Sequence, residues 1–180
     1  MNLFFFKCIC KKQTFFRAFR IMKNLILIRH ASAESEQFPS NDFDRRLTET
    51  GISETRKLAA FLSSHKIQPD KVVCSAAKRT FETAGIIIET LSIQQSAIEI
   101  PALYNAGFQV LLQHIQSFGQ ELNTIALVGH NPGISQIATV LSSDNPYQFS
   151  TASALCLEFK VQSWSAVQSG MGKENWYYNP

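Results

Sequence analysis

Residues 25–31 read Leu-Ile-Leu-Ile-Arg-His-Ala, a short apolar run that ends in an arginine and a histidine. Four consecutive apolar residues predict a strand that is buried on both faces, as in a parallel sheet. The side chains that follow such a strand lie where the sheet meets solvent, and in open α/β folds this edge is where ligands bind. We therefore treat Arg29 and His30 as the start of a site.

Alternating strands and helices follow that first strand. The apolar spacing predicts helices over residues 49–64, 76–91, 107–118 and 134–141, and strands over 72–75, 98–100, 124–128 and 154–161. The last strand alternates in hydrophobicity, which predicts one wetter face. This order predicts a single three-layer α/β domain with a mostly parallel central sheet flanked by helices.

The charge of the chain is unevenly distributed. Residues 1–21 hold five basic residues and no acidic ones, whereas the rest of the chain holds 12 basic and 14 acidic residues. The body is therefore mildly acidic, which argues against a nucleic-acid partner. The four cysteines show neither a metal-binding spacing nor a disulfide framework, so we expect a reduced, cytoplasmic protein with no metal and no cofactor.

Three regions are predicted along the chain. Residues 1–21 form a basic and aromatic N-terminal extension, 22–165 the folded domain, and 166–180 a C-terminal tail. The extension is interpreted as a loose segment before a functional start at Met22, with contact to a membrane surface as the alternative. The tail around Trp176 either packs back on the body or hangs free, and the sequence leaves both open.

Polar groups follow three of the predicted strands: Arg29 and His30 after the first, Ser75 leading to Arg79 after the second, and His130 after the strand at 124–128. In a parallel sheet these ends share one edge, so two histidines and two arginines can meet in one pocket. Guanidinium groups bind phosphoryl oxygens bidentately. A neutral imidazole can attack phosphorus if a backbone carbonyl keeps its other nitrogen protonated. The cluster therefore predicts phosphoryl chemistry.

The motifs around these residues resemble the histidine phosphatase superfamily, in its short phosphohistidine phosphatase branch, over about residues 23–161. The resemblance implies a phosphoglycerate mutase-like fold, with His30 as the phosphorylated nucleophile, Arg29 and Arg79 as phosphate ligands, and His130 stabilising the transferring group. The matching motifs are Arg29-His30-Ala31, Arg45-Arg46-Leu47-Thr48-x-x-Gly51, Ser75-x-x-x-Arg79-x-x-x-Thr83-Ala84, Gly129-His130-Asn131-Pro132-Gly133 and Ser150-Thr151-Ala152.

The sequence departs from the family where a proton donor is expected. Asn131 follows the second histidine where acid phosphatase relatives carry Asp, and residues 101–103 contain no acid where other relatives use Glu. Many members also have Gly where Ala31 stands, a change that we expect the backbone to accept. An alcohol leaving group needs a proton, whereas the P–N bond of phosphohistidine is labile. The missing acid therefore favours a phosphohistidine substrate.

The segment before the first helix holds two further candidates. Asp42 aligns by spacing with an acidic residue of this branch, and it either assists the leaving group or caps a turn. Arg45 either touches phosphate or pairs with a neighbouring carboxylate. Ser75 is interpreted as a helix cap rather than a catalyst, and Thr151 is placed at the rim of the pocket.

The sequence therefore predicts a monomeric, metal-independent phosphatase that acts through a phosphohistidine intermediate, and most simply on phosphohistidine in a protein. The compact chain shows no obvious insertion that would form a lid over a small molecule. Two alternatives remain: a phosphomonoesterase acting on a small metabolite such as a sugar phosphate or nucleotide, and a non-catalytic module that binds phosphoproteins.

Overall fold

A computed structural model describes residues 22–35, 41–142 and 146–180. The predictions for residues 1–21 lie outside the described residues. Among the residues that the structure describes, no helix is both long and apolar enough to cross a membrane. The elements are β1 (Lys23–Arg29), α1 (Glu49–Ser64), β2 (Lys71–Ser75), α2 (Lys78–Thr90), β3 (Ile98–Ile100), α3 (Phe108–Gln116), β4 (Thr124–Gly129), α4 (Gly133–Leu141), β5 (Ala154–Phe159) and β6 (Lys173–Tyr178), with short 3-10 turns at Asp42–Asp44, Pro101–Leu103 and Trp164–Ala166.

The described strands form a six-stranded sheet in the order β3-β2-β4-β1-β5-β6. The first four strands in this order run parallel, β5 is antiparallel to β1, and β6 is antiparallel to β5. The predicted mostly parallel α/β sheet is therefore confirmed. Since β2, β4 and β1 are adjacent and parallel, their carboxyl ends lie side by side.

β1 lies at the centre of the molecule and is covered on both sides. Leu25 and Leu27 pack with α3 and α4 in one apolar cluster, while Ile26 and Ile28 pack with α1 and α2 in the other. These four side chains are completely inaccessible to solvent. The alternation of side chains along a strand explains the division, because successive residues point to opposite faces. Two helices on each face complete the predicted three layers.

Two expectations for the C-terminal part are settled by the sheet. The wetter face predicted for residues 154–161 is found only in their second half: Ala154 and Cys156 are buried, whereas Glu158 on the same face is half-buried and Lys160 is exposed. Of the two alternatives for the tail, the structure shows the packed one, because β6 pairs with β5 along its length. The sheet thus extends into the segment that the sequence analysis assigned to a tail at residues 166–180.

Candidate active site

The site lies at the carboxyl edge formed by β1, β4 and β2. An open pocket of about 520 Å³ there is lined by polar side chains. All six candidate site residues border it, together with Thr151 at its rim. The complete lining consists of Arg29, His30, Ser32, Ala33, Asp42, Arg45, Arg79, Asn105, His130, Asn131 and Thr151.

His30 follows the last residue of β1 and is held by hydrogen bonds of its main chain and its ring. Its backbone N–H donates to the carbonyl of Gly129 on β4 at 3.0 Å. Its ring Nδ1 lies 2.8 Å from the carbonyl oxygen of Ala31. Because a carbonyl oxygen only accepts, this contact assigns the proton to Nδ1 and leaves a lone pair on Nε2. Nε2 accepts from Arg79 Nε at 3.3 Å, so it faces the guanidinium.

Arg79 is 3% exposed and lies at the centre of the site. It belongs to the first turn of α2, directly beyond the end of β2. Besides its bond to His30, its Nη2 lies 3.3 Å from Nδ1 of His130 and 3.0 Å from Oδ2 of Asp42. Its Nη1 donates to the carbonyl oxygen of Asp42 at 2.6 Å. One guanidinium therefore joins both histidines to the segment around Asp42.

Asp42 lies in the 3-10 turn that precedes α1, and three side chains bind its carboxylate. Arg45 Nη2 lies 2.7 Å from Oδ1, and Tyr104 Oη donates to Oδ2 at 2.6 Å, beside the Arg79 contact. Burial raises the pKa of Asp42, but the hydrogen bonds from Tyr104 and Arg79 and the nearby cationic charges outweigh it and lower the pKa to about 2. The carboxylate is therefore ionised at neutral pH, and Arg45 forms an ion pair with it.

His130 follows β4 and is 6% exposed. Its Nε2 lies 2.8 Å from Oγ of Ser75, and its ring packs against His30 and Tyr104 with centroid separations of 5.1 and 5.6 Å. Since Arg79 donates toward Nδ1, the ring proton lies on Nε2 and is donated to Ser75. The N-cap of α2 is Ala77 and not Ser75, although the Ser75 hydroxyl accepts from the backbone N–H of Ala77 at 3.3 Å. The same hydroxyl binds the His130 ring.

Arg29, the last residue of β1, also borders the pocket. Its Nη1 donates to the carbonyl oxygen of Phe149 at 2.9 Å. Its Nε is buried and has no hydrogen-bond partner in the described part of the chain. Leaving such a donor unpaired is costly, so the described residues satisfy the guanidinium of Arg29 only in part.

Both imidazoles are neutral at neutral pH. Burial, followed by the charges of Arg79, Arg29 and Arg45, lowers the pKa of His30 to about 4, although the Ala31 carbonyl opposes this shift. Burial, followed by the charges of His30 and Arg79, lowers the pKa of His130 to about 3. A neutral His30 that carries its lone pair on Nε2 is a competent nucleophile once Arg79 turns from that nitrogen to an incoming phosphoryl group.

Two side chains of the site, Tyr104 and Glu54, were not predicted from the sequence. Tyr104 donates to Asp42. It directly follows residues 101–103, where other relatives of the family carry Glu, so its hydroxyl was the feature from which it could have been predicted. Glu54 accepts hydrogen bonds from the backbone and hydroxyl of Ser32 at 2.9 Å each. It lies on α1, one turn after Gly51 of the recognised motif, and nothing in the local pattern distinguishes it from an ordinary surface glutamate.

A neutral imidazole beside two guanidinium groups, at the carboxyl edge of a parallel sheet, defines a site suited to phosphoryl transfer.

Comparison with known proteins agrees with this conclusion about the site. Residues 25–111 match the family model of the histidine phosphatase superfamily (branch 1). An uncharacterized protein of Mycobacterium leprae is 32% identical over 123 residues, which make up 64% of this chain and 71% of that protein.

Two further similarities cover most of the chain. The phosphohistidine phosphatase SixA of Escherichia coli is 24% identical over 159 residues, which are 87% of this chain and 93% of that protein. The structure of the protein histidine phosphatase SixA complexed with tungstate is 21% identical, covers 87% of this chain and 96% of its own, and superposes with a TM-score of 0.76. The chain belongs to the histidine phosphatase superfamily, which confirms the resemblance and supports a phosphatase function.

Proposed function

We propose that this protein is a phosphatase that transfers a phosphoryl group to Nε2 of His30 and then hydrolyses the phosphohistidine so formed, without a metal ion. We further propose that its preferred substrate is phosphohistidine on a protein. The observation that carries the proposal is the arrangement of His30, whose Nδ1 is bound to the carbonyl of Ala31 while Nε2 faces Arg79.

In the first step, the lone pair of Nε2 forms a bond to phosphorus as the bond from phosphorus to the leaving group breaks with its electron pair. Nδ1 keeps its proton throughout, so the phosphorylated ring is cationic. In the second step, the oxygen of water bonds to phosphorus while the P–N bond returns its electron pair to Nε2. Inorganic phosphate leaves, and the protons of the water stay on it or pass to the solvent. Arg29 and Arg79 are positioned to bind the phosphoryl oxygens in both steps. The charge of a bound phosphoryl group raises the pKa of His130, which allows Nδ1 of that ring to donate as well.

The choice of substrate rests on the leaving group. Among the residues that line the pocket, Asp42 is the only carboxylic acid, and its pKa of about 2 leaves it without a proton to donate at neutral pH. An alkoxide is a poor leaving group without general acid catalysis, whereas the imidazole of phosphohistidine leaves more readily. The open pocket also suits a phosphorylated side chain presented on a protein surface. The name of the Escherichia coli relative is consistent with this choice.

A small phosphorylated metabolite is the second candidate substrate. The carboxylate of Asp42 favours it, because a phosphoryl group that displaced Asp42 from Arg79 would release this acid beside the leaving group. A non-catalytic phosphoprotein-binding module is the third candidate, and it requires no phosphorylation of His30.

The test is a paired assay in the presence of a chelator. Initial rates are compared for a protein phosphorylated on histidine, for p-nitrophenyl phosphate and for a panel of sugar phosphates. Acid-labile phosphate on the enzyme is trapped by rapid quenching in alkali, where phosphohistidine survives. His30→Ala is the test variant, and His114→Ala, on α3 and outside the pocket lining, is the matched control.

We expect rapid loss of phosphate from the phosphohistidine protein, slow ester hydrolysis, and a trapped phosphoenzyme that is absent in His30→Ala and present in His114→Ala. Preference for an ester would replace the proposed substrate with a metabolite. Turnover by His30→Ala at the wild-type rate would refute the assignment of His30 as the nucleophile. Binding without turnover of any substrate would leave the non-catalytic phosphoprotein-binding module as the remaining candidate.

A further inference from the structure

The peptide group between Ala31 and Ser32 connects the nucleophile to α1. At one end, the Ala31 carbonyl oxygen binds His30 Nδ1 at 2.8 Å. At the other end, the Ser32 N–H donates to Oε2 of Glu54 at 2.9 Å. A peptide group is planar and rigid, so these two hydrogen bonds are made by opposite ends of one plane. The position of the Glu54 carboxylate therefore helps to fix the direction of the carbonyl that holds His30.

Both oxygens of Glu54 are engaged with the same residue. Oε1 accepts from the Ser32 hydroxyl at 2.9 Å while Oε2 accepts from the Ser32 N–H. The N-cap of α1 binds Ser32 from another direction, because the backbone N–H of Thr48 donates to the Ser32 carbonyl at 3.0 Å. Ser32 is thus held by α1 at its N–H, its hydroxyl and its carbonyl.

We propose that Glu54 is a positioning residue for the nucleophile. Acting through the Ala31–Ser32 peptide group, its carboxylate keeps the proton of His30 on Nδ1 and stabilises the positive charge that the ring acquires when Nε2 bonds to phosphorus. The effect on charge rests on the proposed function, whereas the effect on the His30 tautomer does not.

The physical basis is polarisation of the peptide group. A carboxylate that accepts from the N–H draws the proton toward itself and increases the negative partial charge on the carbonyl oxygen, because hydrogen bonds in a chain strengthen one another. The Ala31 oxygen then binds the Nδ1 proton more strongly, most of all when the ring is cationic. Burial lowers the pKa of the Arg29 guanidinium, and the negative charge of Glu54 partly opposes this shift.

Glu54→Gln removes the charge and keeps the shape. Its amide oxygen can accept from the Ser32 N–H, and its NH₂ can donate to the Ser32 hydroxyl, which accepts as well as it donates. We expect kcat to fall about tenfold, as expected when a partner that orients a reactive histidine is weakened. Inhibition by inorganic phosphate should not weaken, because Arg29 and Arg79 remain.

Glu82→Gln is the matched control. Glu82, on α2, accepts from the backbone N–H of Leu47 at 2.7 Å and from Arg46 Nε at 2.9 Å. It is therefore another carboxylate that holds a loop through one backbone and one side-chain donor, and these hydrogen bonds reach residues 46 and 47 rather than residues 30–32. We expect wild-type kcat from this variant.

A second readout is independent of activity. Ring ¹⁵N chemical shifts of His30 report which nitrogen carries the proton. We expect protonated Nδ1 in the wild type and a measurable increase of the Nε2-protonated tautomer in Glu54→Gln, with no change in Glu82→Gln.

The two proposals fail in different ways. An active wild type, with wild-type kcat and unchanged His30 shifts in Glu54→Gln, overturns the role of Glu54 and leaves the phosphatase intact. An inactive wild type, with the tautomer shift present in Glu54→Gln, refutes the phosphatase and supports the positioning of His30. A fall in kcat accompanied by weaker phosphate inhibition and unchanged ring shifts shows a merely structural carboxylate and overturns the proposal.

Discussion

Oδ2 of Asp42 lies 3.0 Å from Nη2 of Arg79, so the central guanidinium of the site is already paired with an anion from its own chain. The same guanidinium donates to the Asp42 carbonyl and faces both histidines. A phosphoryl group that binds Arg79 must therefore compete with the Asp42 carboxylate, and the strength of this competition is measurable.

Asp42→Asn should strengthen the binding of inorganic phosphate. The carboxylate is partly exposed, with 26% of its side-chain surface accessible, so screening by solvent limits its ion pair with Arg79. Loss of this competition should lower the phosphate inhibition constant about two- to fivefold. Asp44→Asn, in the same 3-10 turn but exposed to solvent, is the control. Weaker phosphate binding by Asp42→Asn alone would mean that Asp42 chiefly orders the arginines.

Acidification should destabilise the folded protein before it protonates the nucleophile. Burial, above all, lowers the pKa of His30 to about 4 and that of His130 to about 3, from an ordinary value of 6.5. Between those values the unfolded chain takes up protons that the folded chain does not. The free energy of unfolding must therefore decrease as the pH falls from about 7 toward 4.

Urea denaturation at pH 7 and pH 5 measures this loss. A variant with both His30 and His130 replaced by Ala should lose less stability over the same interval than the wild type. An equal loss in both proteins would show that other groups cause the pH dependence.

Phosphorylation of His30 should persist below pH 6, because the His30 ring stays neutral down to about pH 4.

Ser75→Ala should impair catalysis beyond its effect on stability. The variant leaves the Nε2–H of His130 without its acceptor at 2.8 Å and the backbone N–H of Ala77 without its acceptor at 3.3 Å. We expect kcat to fall about tenfold through misplacement of the ring, and the free energy of unfolding to fall by about 1 kcal/mol.

Thr55→Val supplies the comparison for Ser75→Ala. It deletes another fully buried hydroxyl, which donates to the Gly51 carbonyl at 2.8 Å within α1. It should cost similar stability with wild-type kcat, measured by urea denaturation and by initial rates. If both variants lose the same activity, Ser75 has no particular role in placing His130.

Two glycines on helices should respond to alanine in opposite ways. A Cβ on Gly51 would lie 2.0 Å from the Ser32 carbonyl oxygen, whereas a Cβ on Gly85 would meet nothing within 4 Å. Gly51→Ala must displace the segment after His30 and should lower the free energy of unfolding by about 1–3 kcal/mol. Gly85→Ala should raise it by about 0.5–1 kcal/mol, since alanine favours the helix. Thermal unfolding checks both, and a stable Gly51→Ala would show that α1 can shift away from Ser32.

Local patterns were sufficient for most of the secondary structure. The helix predicted over residues 49–64 and the strand over 98–100 agree with the structure at both ends. The four apolar residues of β1 predicted a strand buried on both faces, and the parallel order then placed the ends of β1, β2 and β4 at one edge. These features follow from side-chain periodicity and from the handedness of crossovers, which act over short stretches of chain.

The wetter face predicted for β5 is limited to its end, because alternation reports the character of side chains and not what covers them. Glu158 is the one half-buried residue of the strand, while its neighbours on both faces enter the two apolar clusters. The pairing of β6 could not be predicted either, because the edge of a sheet accepts any strand of suitable register.

By itself, the sequence determined the α/β fold, the edge at which the site lies, and the identity of the arginines and histidines that meet there. Only the tertiary structure decided that Asp42 pairs with Arg79, that Tyr104 binds Asp42, and that Glu54 holds Ser32. These partners are 37, 62 and 22 residues apart in the chain. No periodic pattern relates them, because hydrogen bonds between side chains on different elements depend on how those elements pack.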